Sequence, residues 1–175
     1  VIASGMITSR QGWVEVPYAQ CPAGAAELAA GVVHRRTERG RNVHFVPGLL
    51  HRDAGRVPDV MRGEEVQVVG AATAGSQHFI APGTHSKWIV VEDGSITSFR
   101  TYMTGEVFAL LRQHSILARL MSGQEQVASA FEVGVQRGLA APGRLLHTLF
   151  SARTLPLFGE MPEVHVASYL SGLVI

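Results

Sequence analysis

The clearest pattern of apolar and polar positions lies between residues 78 and 106. Three apolar runs in this stretch are separated first by a small polar turn and then by a dipeptide; the runs cover residues 78–81, 88–91 and 95–103. The dipeptide is Asp93-Gly94, a strong signal for a tight hairpin between two strands. A helical pattern opens at Thr104-Gly105-Glu106. The stretch therefore predicts strand, turn, strand, hairpin, strand and helix.

Strand and helix patterns alternate before this stretch, and helical patterns follow it. The earlier part predicts strands at 1–7 and 43–46, a loop at 49–57, and helices at 23–36 and 59–72. The later part predicts helices at 104–121, broken near His114, and at 124–139, 144–150 and 164–175. Small polar residues at 71–77 indicate a hinge, so we predict two α/β units joined near residue 75.

Composition is typical of a globular protein. Of the 175 residues, 46% are hydrophobic and 17% are charged, which excludes a disordered chain. A formal charge of +1 provides no basic field, so no nucleic-acid partner is expected. Cys21 is the only cysteine, which excludes an internal disulfide and fits a reducing, cytoplasmic compartment. No apolar run approaches the roughly 18 residues of a membrane span, so no membrane partner is expected.

The polar turn after the first apolar run has the composition of a phosphate site. Gly83 would let backbone N–H groups approach a ligand closely, and Thr84-His85-Ser86-Lys87 adds hydroxyl donors and one positive charge. Among the 15 lysines and arginines of the chain, Lys87 is the only lysine. The alternative for these residues is a surface β-turn with a solvated lysine.

A polar loop, Ser9-Arg10-Gln11-Gly12-Trp13, follows the first predicted strand. Ligand sites in α/β sheets gather at the carboxyl ends of strands. Arg10 could bind a carboxylate through two parallel hydrogen bonds, and Trp13 could form an apolar wall for a ligand of sugar size. The alternative is a surface loop with a partly buried tryptophan.

Two adjacent carboxylates, Glu64 and Glu65, lie near the start of the helix predicted at 59–72. Carboxylates at a helix N-terminus are favoured by the helix dipole, which is the simpler explanation. The functional hypothesis is a general base that takes a proton from a hydroxyl as it attacks a phosphate. Because adjacent helical residues point about 100° apart, only one of the two can face a given cleft.

The histidines indicate neither a metal centre nor a hydrolase. No two of the eight have zinc-ligand spacing such as HxxxH, so no metal-ligating residues are predicted. The Thr84-His85-Ser86 segment lacks the GxSxG elbow, and adjacent residues rarely form a nucleophile and its base.

Four segments together resemble one enzyme family. They are VIASGMITSRQGWVEVPY at 1–18, VPDVMRGEEVQ at 57–67, APGTHSKWIVV at 81–91 and FRTYMTGEVFALLRQHSILARLM at 99–121. On these segments the chain resembles the 2-dehydro-3-deoxygalactonokinases of the actin/hexokinase-like ATPase superfamily, and the likeness covers essentially all 175 residues. Members of that family phosphorylate a 2-keto-3-deoxy sugar acid with ATP.

The resemblance implies an α/β fold of two RNase-H-like domains around a cleft, incomplete at both ends of this chain. Residues 1–75 would form the later part of an N-terminal sugar-binding domain, and residues 76–175 the first part of a C-terminal ATP-binding domain. ATP and Mg²⁺ are the implied cofactors, a sugar acid is the other small-molecule partner, and a homodimer is an open expectation.

The same likeness suggests roles for individual residues. The turn Gly83-Thr84-His85-Ser86-Lys87 corresponds to the second phosphate loop of the superfamily, which binds ATP. Gly63-Glu64-Glu65 stands where related sugar kinases carry Gly-Asp-Gln with the catalytic Asp, so Glu64 and Glu65 are the catalytic candidates. For the substrate carboxylate we predict Arg10, with Gln11 and Trp13 beside it and Arg62 as the competing cation.

The chain also departs from the pattern of such kinases. It lacks the Asp-x-Gly-Thr-Thr strand with which they begin and the Gly-rich adenosine site expected near their C-terminus. We therefore expect a central fragment that turns over little or nothing by itself, whereas the completed protein would be a carbohydrate kinase. A non-catalytic sugar-acid-binding or assembly module is the alternative.

Overall fold

The computed structural model describes residues 1–123 and 125–175, which fold into two compact units, Val1–Tyr102 and Met103–Ile175. The strands of the described residues all lie in the first unit, and the second unit is helical. The predicted mixed α/β class is confirmed, with the strands gathered in small sheets. Gln124, where the sequence predicts a helix to begin, lies outside the described residues.

The first unit is built from short strands and two short helices. In chain order these are β1 (Ile2–Ala3), β2 (Ala19–Gln20), α1 (Ala25–Ala30), β3 (Val33–Arg36), β4 (Asn42–Phe45), β5 (Leu49–Arg52), β6 (Pro58–Met61), α2 (Glu64–Ala71), β7 (Ser76–Ala81), β8 (Ser86–Glu92) and β9 (Ser95–Tyr102). One turn of 3-10 helix, Gly5–Thr8, follows β1 and replaces the second half of the strand predicted at residues 1–7.

The strands form three sheets of three strands each, in the orders β1-β4-β3, β2-β5-β6 and β7-β8-β9. β1 lies parallel to β4 and β2 parallel to β5, whereas the remaining neighbours are antiparallel. In the third sheet Lys87 lies directly opposite Thr101. The predicted hairpin is confirmed, because Asp93 and Gly94 have φ values of 48° and 79°, the positive values that a tight hairpin requires.

One hydrophobic core spans both sides of the predicted hinge at 71–77. Leu49 and Met61 from the strands before it pack in the same cluster as Ile89 and Phe99 from the third sheet. Because these side chains are buried together, the compact units divide at Tyr102 and Met103, and not near residue 75. The assignment of 1–75 and 76–175 to different functional domains stays a prediction about the complete protein.

The second unit consists of helices. They are α3 (Thr104–His114), α4 (Ala128–Leu139), α5 (Leu145–Leu149), α6 (Ser151–Leu157) and α7 (Val166–Val174), with 3-10 turns at Ile116–Leu120 and Glu163–His165. The break predicted near His114 is confirmed, since α3 ends at that residue. No helix among the described residues is long and apolar enough to span a membrane.

Two glycines allow α4 and α7 to pack backbone against backbone. A Cβ atom added to Gly134 would lie 2.1 Å from the Tyr169 carbonyl oxygen, and one added to Gly172 would lie 2.1 Å from that of Phe131. No side chain fits at either position without moving a helix. Tyr169 itself is fully buried, and its hydroxyl is hydrogen-bonded to Ser151 Oγ at 2.6 Å.

Three further local predictions in the first unit are wrong. The helix predicted at 23–36 ends at Ala30, because Gly31 interrupts it and the β-branched Val33 begins β3. The helix predicted at 59–72 begins only at Glu64, because β6 precedes it and Gly63 has a φ of 119°. The loop predicted at 49–57 contains β5, which pairs with both β2 and β6.

Candidate active site

Arg62, the residue after β6, holds the loop that follows β1. Its guanidinium Nη1 donates to the Thr8 carbonyl oxygen at 2.7 Å and to the Thr8 hydroxyl at 2.6 Å, while Nη2 donates to the Val16 carbonyl oxygen at 3.0 Å. The guanidinium carbon also lies 4.2 Å from the centre of the Tyr18 ring, a cation–π contact. Both terminal nitrogens of Arg62 are thus engaged by the protein, which weighs against Arg62 as the ligand of a substrate carboxylate.

The same loop meets the segment before α2 at two glycines. Gly5 and Gly63 both have positive φ, 82° and 119°. A Cβ atom on Gly63 would lie 3.3 Å from the Gly5 Cα, closer than an ordinary van der Waals contact. Glycine at position 63 is therefore needed both for its backbone conformation and for this approach.

The two carboxylates at the start of α2 have different surroundings. Glu65 is fully buried; its Oε2 accepts the Gly63 N–H at 2.6 Å, and its Oε1 has no hydrogen-bond partner. Glu64 is partly exposed, and its Oε2 accepts the Arg62 N–H at 3.2 Å. Of the pair, only Glu64 is partly exposed in this structure.

Burial changes the acidity of Glu65. It raises the pKa of the Glu65 carboxyl to about 7, and the charge of Glu64 acts in the same direction. Hydrogen bonds from backbone N–H groups and the charge of Arg62 act against this increase. A carboxyl with a pKa near 7 gains and loses its proton around neutral pH.

Lys87 points to the buried side of β8 and not into the exposed turn before it. The side chain is 5% exposed, and its Nζ donates to the Val60 carbonyl oxygen at 3.1 Å and to the Thr101 hydroxyl at 2.9 Å. Burial lowers the pKa of the Lys87 ammonium, and the charges of Glu64 and Asp59 offset part of this decrease.

Asp59 in β6 accepts two hydrogen bonds from Thr101, the residue that binds Lys87. One Asp59 carboxylate oxygen accepts the Thr101 backbone N–H at 2.7 Å, and the other accepts the Thr101 hydroxyl. Sequence reasoning did not single out Asp59 or Thr101 for any functional role. A signal was available, since both fall within the segments 57–67 and 99–121 that carry the family resemblance.

The predicted phosphate turn is exposed except at its end. Gly83, Thr84 and His85 lie at the surface, whereas Ser86 is only 7% exposed. The Gly83 N–H reaches Ser86 Oγ at 3.4 Å, the limit of a hydrogen bond. A Cβ atom added to Gly83 would meet nothing closer than the His85 carbonyl oxygen at 4.0 Å, so the folded turn itself does not require glycine there.

The predicted sugar-acid loop is also exposed, and its backbone is closed on itself. Arg10 and Gln11 lie at the surface between two backbone bonds, from the Gly12 N–H to the Ser9 carbonyl oxygen and from the Trp13 N–H to that of Ile7, both at 2.9 Å. Trp13 is 59% exposed. Its ring packs edge-to-face against the ring of Phe45, with 5.3 Å between the ring centres.

Three residues, Arg62, Asp59 and Thr101, link the segments that carry the predicted site residues through hydrogen bonds. Arg62 joins the carboxylate segment to Thr8, two residues before Arg10. Asp59 and Thr101 join the strand before that segment to Lys87. Among the described residues, no three His, Cys, Asp or Glu side chains converge in a way that could hold a metal ion.

A family profile described as 2-keto-3-deoxy-galactonokinase matches residues 1–175, the whole of the chain. The chain belongs to this family. Two relatives align over all of the chain at 39% identity: the 2-dehydro-3-deoxygalactonokinase of Escherichia coli K12 and a protein of Rhizobium meliloti strain 1021 provisionally named as the same enzyme. A Sinorhizobium meliloti crystal structure, provisionally assigned as a 2-dehydro-3-deoxygalactonokinase, superposes with a TM-score of 0.90 at 38% identity over 99% of the chain.

This 2-keto-3-deoxy-galactonokinase family chain aligns with only part of each of these relatives. The chain spans 58% of the length of each of the two named proteins and 58% of the crystallised chain. The segments that carry Arg10, Glu64, Glu65 and Lys87 all lie within the aligned part, because the alignments cover the chain from end to end.

Proposed function

We propose that the complete protein containing this chain is a carbohydrate kinase that transfers a phosphoryl group from ATP to 2-dehydro-3-deoxygalactonate and forms its 6-phosphate. The observation that carries this proposal is the family match over residues 1–175. The geometry supports it, because the partly exposed Glu64 stands at the start of α2 and its charge acts on the buried ammonium of Lys87.

In the proposed reaction the 6-hydroxyl oxygen of the sugar acid attacks the γ-phosphorus of ATP. The bond from that phosphorus to the oxygen bridging the β- and γ-phosphates breaks, and ADP leaves with the electron pair. Glu64 takes the hydroxyl proton as general base. Glu64 is preferred over Glu65, the other catalytic candidate, because the Glu65 carboxylate is fully buried and accepts the Gly63 N–H.

Arg10 is proposed to bind the carboxylate of the sugar acid. It lies at the surface of a closed loop, in which Gln11 and Trp13 would contact the sugar hydroxyls and carbon chain. A guanidinium and a carboxylate can form two parallel charge-assisted bonds. Arg62, the competing cation, donates hydrogen bonds to Thr8 at the start of this loop. We assign it the structural role of holding the loop in place, without contact to the substrate.

The turn from Gly83 to Ser86 is proposed to bind the phosphates of ATP. Backbone N–H groups and the Thr84 hydroxyl would supply the donors, with His85 and Ser86 completing the turn. Lys87 would contribute positive charge from the buried side of β8.

The finer features expected from the resemblance belong to the same proposal. They are two RNase-H-like domains, to which residues 1–75 and 76–175 would contribute, a requirement for Mg²⁺ with ATP, assembly as a homodimer, and a cytoplasmic location. Mg²⁺ would enter together with ATP, and the described part of the chain contains no group of three His, Cys, Asp or Glu side chains that could hold it.

The test is a phosphoryl-transfer assay on the protein produced from the complete reading frame that contains this chain. ADP release should require both ATP and 2-dehydro-3-deoxygalactonate, and galactonate without the keto group is the matched control acid. Glu64→Gln should lower kcat by about 10² to 10⁴ with little change in KM, because base catalysis acts in the transition state.

Each outcome has a definite meaning. A matching loss in Glu65→Gln, with Glu64→Gln active, would move the base to Glu65. Acid binding without ADP release in the complete protein would support the alternative, a non-catalytic sugar-acid-binding module. A complete protein that neither binds the acid nor releases ADP would overturn both the kinase proposal and the binding-module alternative.

A further inference from the structure

We infer that Asp59 and Thr101 are positioning residues for Lys87, and that together they fix its ammonium group between β6 and β9, on the strand that follows the phosphate turn. The inference rests on the proposed kinase function and extends it to two residues to which the family resemblance assigned no role. Neither residue would touch ATP or the sugar acid.

The bond directions in this cluster are set by Asp59. A carboxylate can only accept, so the Thr101 hydroxyl must use its single hydrogen on Asp59. The Thr101 oxygen is then left to accept from Lys87 Nζ, at 2.9 Å. The Thr101 backbone N–H, bound to the other Asp59 oxygen at 2.7 Å, prevents the pair from rotating. A row of hydrogen bonds that all point the same way is stronger than its isolated members.

The strand register brings this cluster to the phosphate turn. Lys87 is the second residue of β8, directly after the turn, and it lies opposite Thr101 on β9. Its second acceptor, the Val60 carbonyl at 3.1 Å, belongs to β6, four residues before Glu64. Two of the three ammonium hydrogens are therefore committed to acceptors on two other strands, β6 and β9.

A charge fixed in this way can act on the reaction. Charges held in place before the reaction stabilise a transition state better than mobile ones, because they need no reorganisation as charge develops. An untethered lysine side chain has several rotatable bonds and would sample many positions. Loss of the tether should therefore lower kcat while leaving the binding of the sugar acid nearly intact.

The geometry can be tested without any catalytic assay, because Lys87 is the only lysine of the 175-residue chain. An amine-acetylating reagent followed by mass spectrometry of the Lys87 peptide measures how accessible this ammonium is. We expect slow modification in the wild type, and at least tenfold faster modification in Thr101→Val and in Asp59→Asn. Thr101→Ser keeps the hydroxyl and should restore slow modification.

Thr97→Val is the matched control. Thr97 lies on the same strand, is also partly buried, and donates its hydroxyl to the Val90 carbonyl at 3.3 Å, away from Lys87. Its replacement should leave both the modification rate of Lys87 and the kinetics unchanged.

The catalytic arm uses the complete protein. Thr101→Val should lower kcat at least tenfold with KM for the sugar acid within about twofold, Thr101→Ser should recover most of kcat, and Lys87→Met should lose as much as Thr101→Val. An active wild type in which Thr101→Val and Asp59→Asn both keep normal kcat would overturn the inference, as would unchanged acetylation in both variants. An inactive wild type would overturn the proposed function instead, and the acetylation rates would still decide the geometry.

Discussion

The Arg62 guanidinium donates to both the carbonyl and the hydroxyl oxygen of Thr8, across 54 residues of chain. Thr8 is fully buried, so the two bonds are shielded from water. The residue that follows β6 therefore determines where the loop after β1 lies. The proposed base at Glu64 and the proposed acid-binding Arg10 are each two residues from one end of this link.

Removal of the guanidinium should destabilise the first unit. Arg62→Ala would remove the donor of the Val16 carbonyl, one of the two donors of the buried Thr8 carbonyl, and the contact with Tyr18. We therefore expect the free energy of unfolding to fall by about 2–4 kcal/mol. Equilibrium urea denaturation measures the change. Arg10→Ala is the control, because Arg10 is exposed and its loss should change stability by less than about 0.5 kcal/mol. Equal effects of the two substitutions would contradict the structural assignment of Arg62.

The same pair of arginines should behave in the opposite way toward substrate. In the complete protein, Arg10→Ala should raise KM for the sugar acid by about one to two orders of magnitude, because a bidentate charge-assisted contact contributes roughly 1.5–3 kcal/mol. KM for ATP should stay within about twofold. Steady-state kinetics with each substrate varied in turn gives both values. A normal KM for the acid in Arg10→Ala would remove Arg10 from the site.

The buried carboxyl of Glu65 should make stability depend on pH. Its pKa is 4.5 when unperturbed and about 7 in the folded chain, so the folded state holds the proton over a range in which the unfolded state has lost it. Stability should accordingly fall as pH rises from about 4.5 to 7 and then level off, by about 3 kcal/mol in total.

Urea denaturation at pH 5 and pH 8 tests this dependence. The difference in unfolding free energy between wild type and Glu65→Gln should shrink or reverse toward pH 8, because the amide does not titrate and can still accept the Gly63 N–H. Glu15→Gln, at an exposed carboxylate, should track the wild type at both pH values. Parallel behaviour of wild type and Glu65→Gln would show that Glu65 is ionised throughout.

Gly83 offers a test that separates folding from ligand binding. The folded turn has room for a Cβ atom, since its nearest neighbour would be 4.0 Å away, so Gly83→Ala should leave stability unchanged or raise it by up to about 1 kcal/mol. If backbone N–H groups of this turn hold phosphate, the added methyl group should raise KM for ATP about tenfold or more. Gly70→Ala in α2, where a Cβ also meets nothing, should alter neither KM value. An unchanged KM for ATP in Gly83→Ala would place the phosphates elsewhere.

In the second unit, alanine substitutions at two glycines of α4 should change the unfolding free energy in opposite directions. Gly134→Ala forces a Cβ atom to within 2.1 Å of a backbone carbonyl of α7, and we expect a loss of at least about 3 kcal/mol in unfolding free energy. At Gly138 the nearest atom, the Leu173 carbonyl oxygen, would be 3.5 Å away. Gly138→Ala should therefore stabilise the helix by about 0.5–1 kcal/mol. A mild effect of Gly134→Ala would mean that α4 and α7 separate easily.

Local patterns in the sequence predicted those features that local chemistry determines. Asp93 and Gly94 favour positive φ values by themselves, so the hairpin between β8 and β9 could be placed to the residue. The end of α3 at His114 was equally visible. By contrast, β5 and β6 were missed, because these four-residue strands depend on pairing with each other and, for β5, with β2.

The direction of Lys87 could not be predicted for a related reason. A lysine after a polar turn is expected in solvent, and its neighbour Ser86 is buried as well, which breaks the alternation of a strand. Burial of the ammonium is stabilised by Asp59 and Thr101, which lie 28 residues before it and 14 residues after it. No window centred on the turn contains that information.

The division into a strand-rich unit and a helical unit provides two independent optical signals. Both tryptophans, Trp13 and Trp88, belong to the first unit and are 59% and 49% exposed, so tryptophan emission and its quenching report on residues 1–102. Most helical residues belong to the second unit, so far-ultraviolet circular dichroism is weighted toward residues 103–175. Denaturation curves from the two signals would coincide for cooperative unfolding and separate if either unit melts first.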